Sequence, residues 1–128
     1  MSKAESNGEF SLVECQIPDG TGTPPHIHHN ESETFFVLEG EVVVIAGGEE
    51  HILQPGGLVY VPKGTRHHFV NRSGKQVRML AFFSPGGMDG LFTDVGSPGI
   101  RGVLAPPKPR NYELMARMAV KYGYSLAE

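Results

Sequence analysis

A single cysteine, Cys15, occurs in the 128 residues, so no internal disulfide can form, which agrees with a reducing compartment. Cys15 sits in an apolar, strand-like pattern and reads as a buried, inert thiol rather than a nucleophile. Basic residues are also few. With 11 Lys and Arg against 14 Asp and Glu, the net charge is −3, and no broad cationic field exists for a phosphate backbone. No nucleic-acid partner is therefore expected. No apolar run approaches the length that crosses a bilayer, so no membrane partner is expected either. The polar start, Met1-Ser-Lys-Ala-Glu-Ser-Asn-Gly, lacks the apolar stretch of a secretory signal, and a cytoplasmic protein is the expectation. Gly-x-Ser-x-Gly, a phosphate loop and a dinucleotide fingerprint are all missing, which removes three common catalytic frameworks.

What the chain does contain is short runs of β-branched and aromatic residues separated by turn signals. They fall at 10–17, 34–38, 41–45, 50–53, 57–61, 67–70 and 76–83. That spacing predicts an antiparallel all-β sandwich or barrel. Gly47-Gly48 and Gln54-Pro55-Gly56-Gly57 read as tight turns. The whole chain, 1–128, is read as one domain, with a barrel core at about 10–84, a Gly/Pro-rich segment at 85–110 and a helical tail at 111–123. Asn111 looks like the cap of that tail helix; Leu114, Met115, Met118, Ala119 and Tyr122 form one stripe, and Gly123 is its stop.

Chemistry concentrates in two clusters. His26 and His28, at i and i+2 of a strand, point to one side. After a turn at 29–32, Glu33, Phe35 and Val37 share the inward face of the next strand, so the carboxylate faces the two imidazoles. A further turn, Pro62-Lys63-Gly64-Thr65, precedes a strand expected to deliver His67 from the opposite side. Three imidazoles and a carboxylate suit one divalent transition metal, with Fe, Mn, Ni, Cu and Zn all left open. His29, His51 and His68 fit no ligand position.

The two clusters read Gly20-x5-His26-x-His28-x4-Glu33-x6-Gly40 and Gly56-x5-Pro62-x-Gly64-x2-His67-x3-Asn71. In this they resemble the two signature motifs of the cupin superfamily at every fixed position. The resemblance implies a jelly-roll, or double-stranded β-helix, barrel with a short C-terminal helix. The run 25–40, the 62–71 segment and Ser84-Pro85-Gly86-Gly87 further resemble small single-domain quercetin dioxygenase-like cupins. That likeness implies His26, His28, Glu33 and His67 as ligands of a metal that cleaves flavonols with dioxygen. Glu33 would serve both as ligand and as base.

Phe35, Val37 and Phe69 share inward parity and are candidates for the substrate pocket, with simple core packing as the alternative. Met88 and Phe92 are candidates if the 85–110 segment folds across the barrel mouth; packing on the outer sheet is the alternative. The tail helix is expected to cover the core or pack a dimer. Outward-facing Phe36, Leu38 and Val70 predict a homodimer. Two functional classes stay open: a metal-dependent dioxygenase-type oxidoreductase acting on a small hydroxylated aromatic or enolic compound, or else an isomerase, lyase or non-catalytic sensing cupin.

Overall fold

A computed structural model describes residues 1–95 and 111–126. Alternation of buried and half-buried side chains defines its two longest strands, β3 (Ser32–Glu39) and β8 (Val77–Ser84). Such a period of two belongs to strands with one face on a core. Around them are β1 (Ser11–Ile17), β2 (His26–His28), β4 (Val42–Ala46), β5 (Glu49–Leu53), β6 (Leu58–Val61), β7 (His67–Val70) and β9 (Tyr124–Leu126). Two helices, α1 (Asp89–Val95) and α2 (Tyr112–Tyr122), complete the described elements.

The strands form two antiparallel sheets, β1-β8-β3-β6 and β5-β4-β7-β2-β9. Inward side chains from both meet in one core that includes Phe35, Val37, Val44, Val61, Met79 and Phe83. Burying an aliphatic or aromatic side chain of this size is worth about 1.5–3 kcal/mol, so this shared interior holds the two layers together. Gly47-Gly48 forms the two-residue hairpin between β4 and β5, as its composition predicts. Gly40, which ends the first cluster, turns β3 into β4 with φ +85°, and a Cβ there would lie 2.9 Å from Val77 Cγ2. Both the backbone angle and the space demand glycine.

All seven expected strands are present, with ends displaced by no more than two residues. Two features differ from expectation, the placement of His67 and strand β9, whereas a short helix within 85–110 agrees with it. His67 does not come from across the barrel: β7 pairs with β2 in the same sheet, with His26 directly opposite His67. Glu33 comes from the other sheet instead. Strand β9 has no counterpart in the sequence reading, because three residues are too few to show a period. Helix α1 occupies part of the Gly/Pro-rich segment, whose remainder, 96–110, lies outside the described residues.

Helix α2 follows its sequence signals closely. The Asn111 side chain accepts a hydrogen bond from the Leu114 amide, and Gly123 ends the helix in the left-handed conformation. Asp94 on α1 accepts from Lys121 Nζ at 2.6 Å and from the Tyr122 hydroxyl at 2.5 Å, linking the two helices.

Candidate metal centre

Strands β2, β3 and β7 bring His26, His28, Glu33 and His67 together, with one donor atom from each lying within 4.8 Å of all the others. Parity explains the first pair, since His26 and His28 flank outward-facing Ile27. Ring centroids stand 4.8 Å apart for His26 and His28, 4.3 Å for His26 and His67, and 5.3 Å for His28 and His67. Glu33 Oε1 lies 2.9 Å from His67 Nε2 and 3.4 Å from His28 Nε2. The turn before β7 is tied to β2 by the Gly64 amide, which donates to the His28 carbonyl at 2.8 Å. Asn71, the last residue of the second cluster, lies fully buried away from this group. Its side-chain amide donates to the Ile17 and Lys75 carbonyls and so holds the turn after β7.

Two of the three imidazoles have a hydrogen-bond acceptor at Nδ1, and the third, His28, has only an ion-pair contact there. His26 Nδ1 lies 2.8 Å from the Pro24 carbonyl, His67 Nδ1 2.9 Å from the Thr65 carbonyl, and His28 Nδ1 3.0 Å from Glu31 Oε1. The Pro24 and Thr65 carbonyls favour the Nδ1 proton on His26 and His67, and a cation bound at the cluster would take the place of the contacts that His28 and His67 make to Glu33 through Nε2. Three convergent imidazole nitrogens and a carboxylate fit a divalent first-row transition ion.

Electrostatics point the same way. Glu31 and Glu33 are buried, and among the described residues the ion-pair partners of both are histidines. Burial alone raises a carboxyl, but hydrogen bonds from His28 and His67 prevail and hold Glu33 below its ordinary pKa. Burial opposes the charged form of His28 as well, yet Glu31 and Glu33 outweigh it and lift this imidazole to about 9. Burial, reinforced by the neighbouring His67, pushes His26 down to about 4. Two buried anions and one imidazole drawn toward its cationic form describe a place built for positive charge.

Residues 13–83 match the family model described as a cupin domain. This chain belongs to the cupin family. Quercetin 2,3-dioxygenase from Bacillus subtilis is 28% identical over 109 residues, covering 85% of this cupin and 32% of that enzyme. The structure of KdgF from Halomonas sp. superposes with a TM-score of 0.61 at 25% identity, over 65% of this chain and 74% of that one. A predicted oxalate decarboxylase from Thermotoga maritima gives a TM-score of 0.62 at 24% identity, over 66% and 75% of the two chains, and supports the fold. The chain spans 32% to 60% of the length of the curated relatives it matches first.

Above the four donors the cupin sheets enclose a cavity of about 660 Å³. Phe35 and Phe69 line it, with ring centroids 5.8 Å apart, and so do Met88 and Phe92. Val37 does not. Two residues further along β3 than Phe35, it is fully buried in the core and contributes nothing to the cavity wall. The tail helix does more than cover the core: Leu114, Met115 and Met118 form a wall of the cavity, and Tyr124 on β9 lies against His28 with centroids 5.8 Å apart. This wall lies beyond the part of the chain that the cupin family model matches. The apolar stripe on α2 was its signal, but a stripe does not say what it faces. Cys15 also reaches the cavity, and burial, with Glu33 and Glu14 adding to it, pushes its thiol up to about 12. His29 hydrogen-bonds Ser125 at 2.6 Å and His51 lies near Glu49; with His68, both stand apart from the donor cluster.

Proposed function

We propose that this cupin is a metal-dependent oxidoreductase of the dioxygenase type, acting on a small hydroxylated aromatic or enolic compound such as a flavonol. The observation that carries the reading is the pairing of a four-donor cluster with an apolar chamber. Among the described residues lining that chamber there is no lysine or arginine, and the one carboxylate is Glu33. Among the described residues an anionic sugar phosphate or dicarboxylate would find no lysine or arginine beside the metal, whereas a flat, uncharged ring system would meet Phe35, Phe69 and methionine side chains. The likeness to a quercetin 2,3-dioxygenase supports the same substrate class.

A divalent transition ion held by His26, His28, Glu33 and His67 supplies a Lewis-acidic, oxygen-activating centre with positions left for substrate oxygens. The chain's own groups do the rest. The Pro24 and Thr65 carbonyls fix the imidazole planes of His26 and His67. Glu33 is the one carboxylate among the described lining residues that could accept the proton of a substrate hydroxyl, and its hydrogen bonds from His28 and His67 lower its basicity until they are displaced by a bound metal. Phe35, Phe69, Met88, Met115 and Met118 exclude water and orient the ring.

The test is dioxygen consumption by metal-reconstituted protein against flavonols, catechols and β-diketones. Oxygen uptake coupled to ring cleavage supports the reading. Turnover without uptake assigns isomerase or lyase chemistry, and tight binding without turnover under any metal assigns a sensing role.

The partner expected beside the small molecule is a second copy of this chain. On the outer face of the β1-β8-β3-β6 sheet, Leu58, Phe36 and Leu80 lie in one cross-strand row, and Tyr60, Thr34 and Phe82 in the next. Phe36 and Leu38 are half-buried, but Leu58 and Tyr60 are 58% and 59% exposed. An apolar band of this kind favours burial against a like surface.

A further inference from the structure

We infer that Glu31 is a positioning residue for the metal centre, acting through His28. Glu31 immediately precedes β3 and Glu33 is the strand's second residue; both are buried, and the two carboxylates flank one imidazole. Glu31 Oε1 lies 3.0 Å from Nδ1, and Glu33 Oε1 lies 3.4 Å from Nε2. Glu31 is 5% exposed, and among the described residues His28 is its one ion-pair partner. A carboxylate buried with a histidine and neither a lysine nor an arginine as its ion-pair partner carries a desolvation cost that surface placement would avoid. Its position therefore needs a cause.

The other two rings show what that cause is. His26 and His67 set Nδ1 against backbone carbonyls of the segments leading into β2 and β7, at no cost in charge. His28, at the end of β2, has the Glu31 carboxylate 3.0 Å from Nδ1 instead, an ion-pair contact that lacks hydrogen-bond alignment and that a small turn of either buried group would complete. A carboxylate at Nδ1 fixes the tautomer and makes Nε2 a stronger donor, and with Glu33 it brings the buried charge to two negatives, matching a divalent cation. The spacings His28-x4-Glu33 and Glu33-x6-Gly40 select Glu33 and pass over Glu31, whose inward parity with Glu33 is the signal that remains.

This inference rests on the metal-centre reading, and the experiment separates the two. Zinc(II) and cobalt(II) affinities would be measured by chelator competition for the parent, Glu31→Gln and Glu31→Ala. Gln keeps an acceptor for Nδ1–H and loses the charge; Ala loses both. We expect about tenfold weaker binding for Glu31→Gln and about 100-fold for Glu31→Ala, with an altered cobalt visible spectrum in the latter. Affinities within twofold of the parent in both variants would overturn the role of Glu31 and leave the metal centre standing. A parent that binds neither ion would overturn the centre itself. A measurement on the parent alone guards against variants that fail to fold. In the zinc-loaded, 15N-histidine-labelled protein, His28 should carry its proton on Nδ1 and its metal on Nε2, and the reverse assignment refutes the inference.

Discussion

His26 and His67 face each other across adjacent antiparallel strands, their ring centroids 4.3 Å apart. Strand pairing thus holds two of the four donors in a fixed relation that no loop has to maintain. The same register sends His68 to the opposite face, where it is half-buried beside outward-facing neighbours. Replacing His67 by Ala is expected to weaken metal binding by about 100-fold or more, above the loss typical of an outer-shell partner. His68→Ala should leave metal affinity nearly unchanged and cost about 0.5 kcal/mol or less. Metal content of the two purified variants decides the point, and equal loss would show that His68 takes part.

Metal should also stabilise the fold. Its donors come from both sheets, so binding is linked to keeping them together. At a free metal concentration of 100 times Kd the gain is about 2.7 kcal/mol, and a chelator should abolish it. Thermal melts with and without zinc(II) and EDTA test this, and a midpoint indifferent to both counts against a metal centre.

The chamber wall contributed by α2 predicts a separation of ligand from metal binding. Met118→Ala removes one of its apolar side chains without touching a donor residue. Loss of part of the roughly 1.5–3 kcal/mol of burial translates into about tenfold weaker binding of an apolar flavonol. Metal affinity should not change. Fluorescence titration with the ligand and chelator competition for the metal give the two readouts, and unchanged ligand affinity would place the ligand elsewhere.

Cys15 should be unreactive in the folded protein. Burial first, then Glu33 and Glu14, raise its thiol to about 12, so at pH 8 only about one molecule in 10⁴ carries a thiolate. Because the folded pKa lies above the unfolded one, this group favours folding below pH of about 8.5 and the advantage is lost as pH rises toward 12. Labelling with a thiol reagent at pH 8 should be slow until the protein is unfolded, and rapid stoichiometric labelling of the native protein would refute this.

The apolar band over Leu58, Phe36 and Leu80 predicts a solution mass near twice 13.9 kDa. Leu58→Glu combined with Tyr60→Glu should return the protein to a monomer, since each places a charge on the face to be buried. Light scattering at micromolar concentrations measures both, and a monomeric parent sinks the expectation.

The strands and the convergence of His26, His28, Glu33 and His67 were readable because both depend on a period of two and on fixed spacings, and those are local properties of the chain. Val37 shows the limit of parity. It shares a face with Glu33 and Phe35, but whether an inward side chain reaches the cavity or the core below depends on its depth along the strand. The placement of His67 shows a second limit, since spacing gives which residue points inward and not which sheet it joins. Glu31 shows a third, because its partner lies three residues back across a turn and in another strand.

Residues 124–126 pair with β2 along its full length, on the side away from β7. A three-residue strand bearing two of the metal donors would otherwise sit at a sheet margin, where fraying competes with order and an open row of amides invites another chain. The tail makes it an interior strand. Shortening the chain before Tyr124, or joining a bulky fusion partner directly after Leu126, should therefore loosen His26 and His28 before it disturbs the distant β4–β5 hairpin, so that metal would dissociate from a protein whose core is still folded.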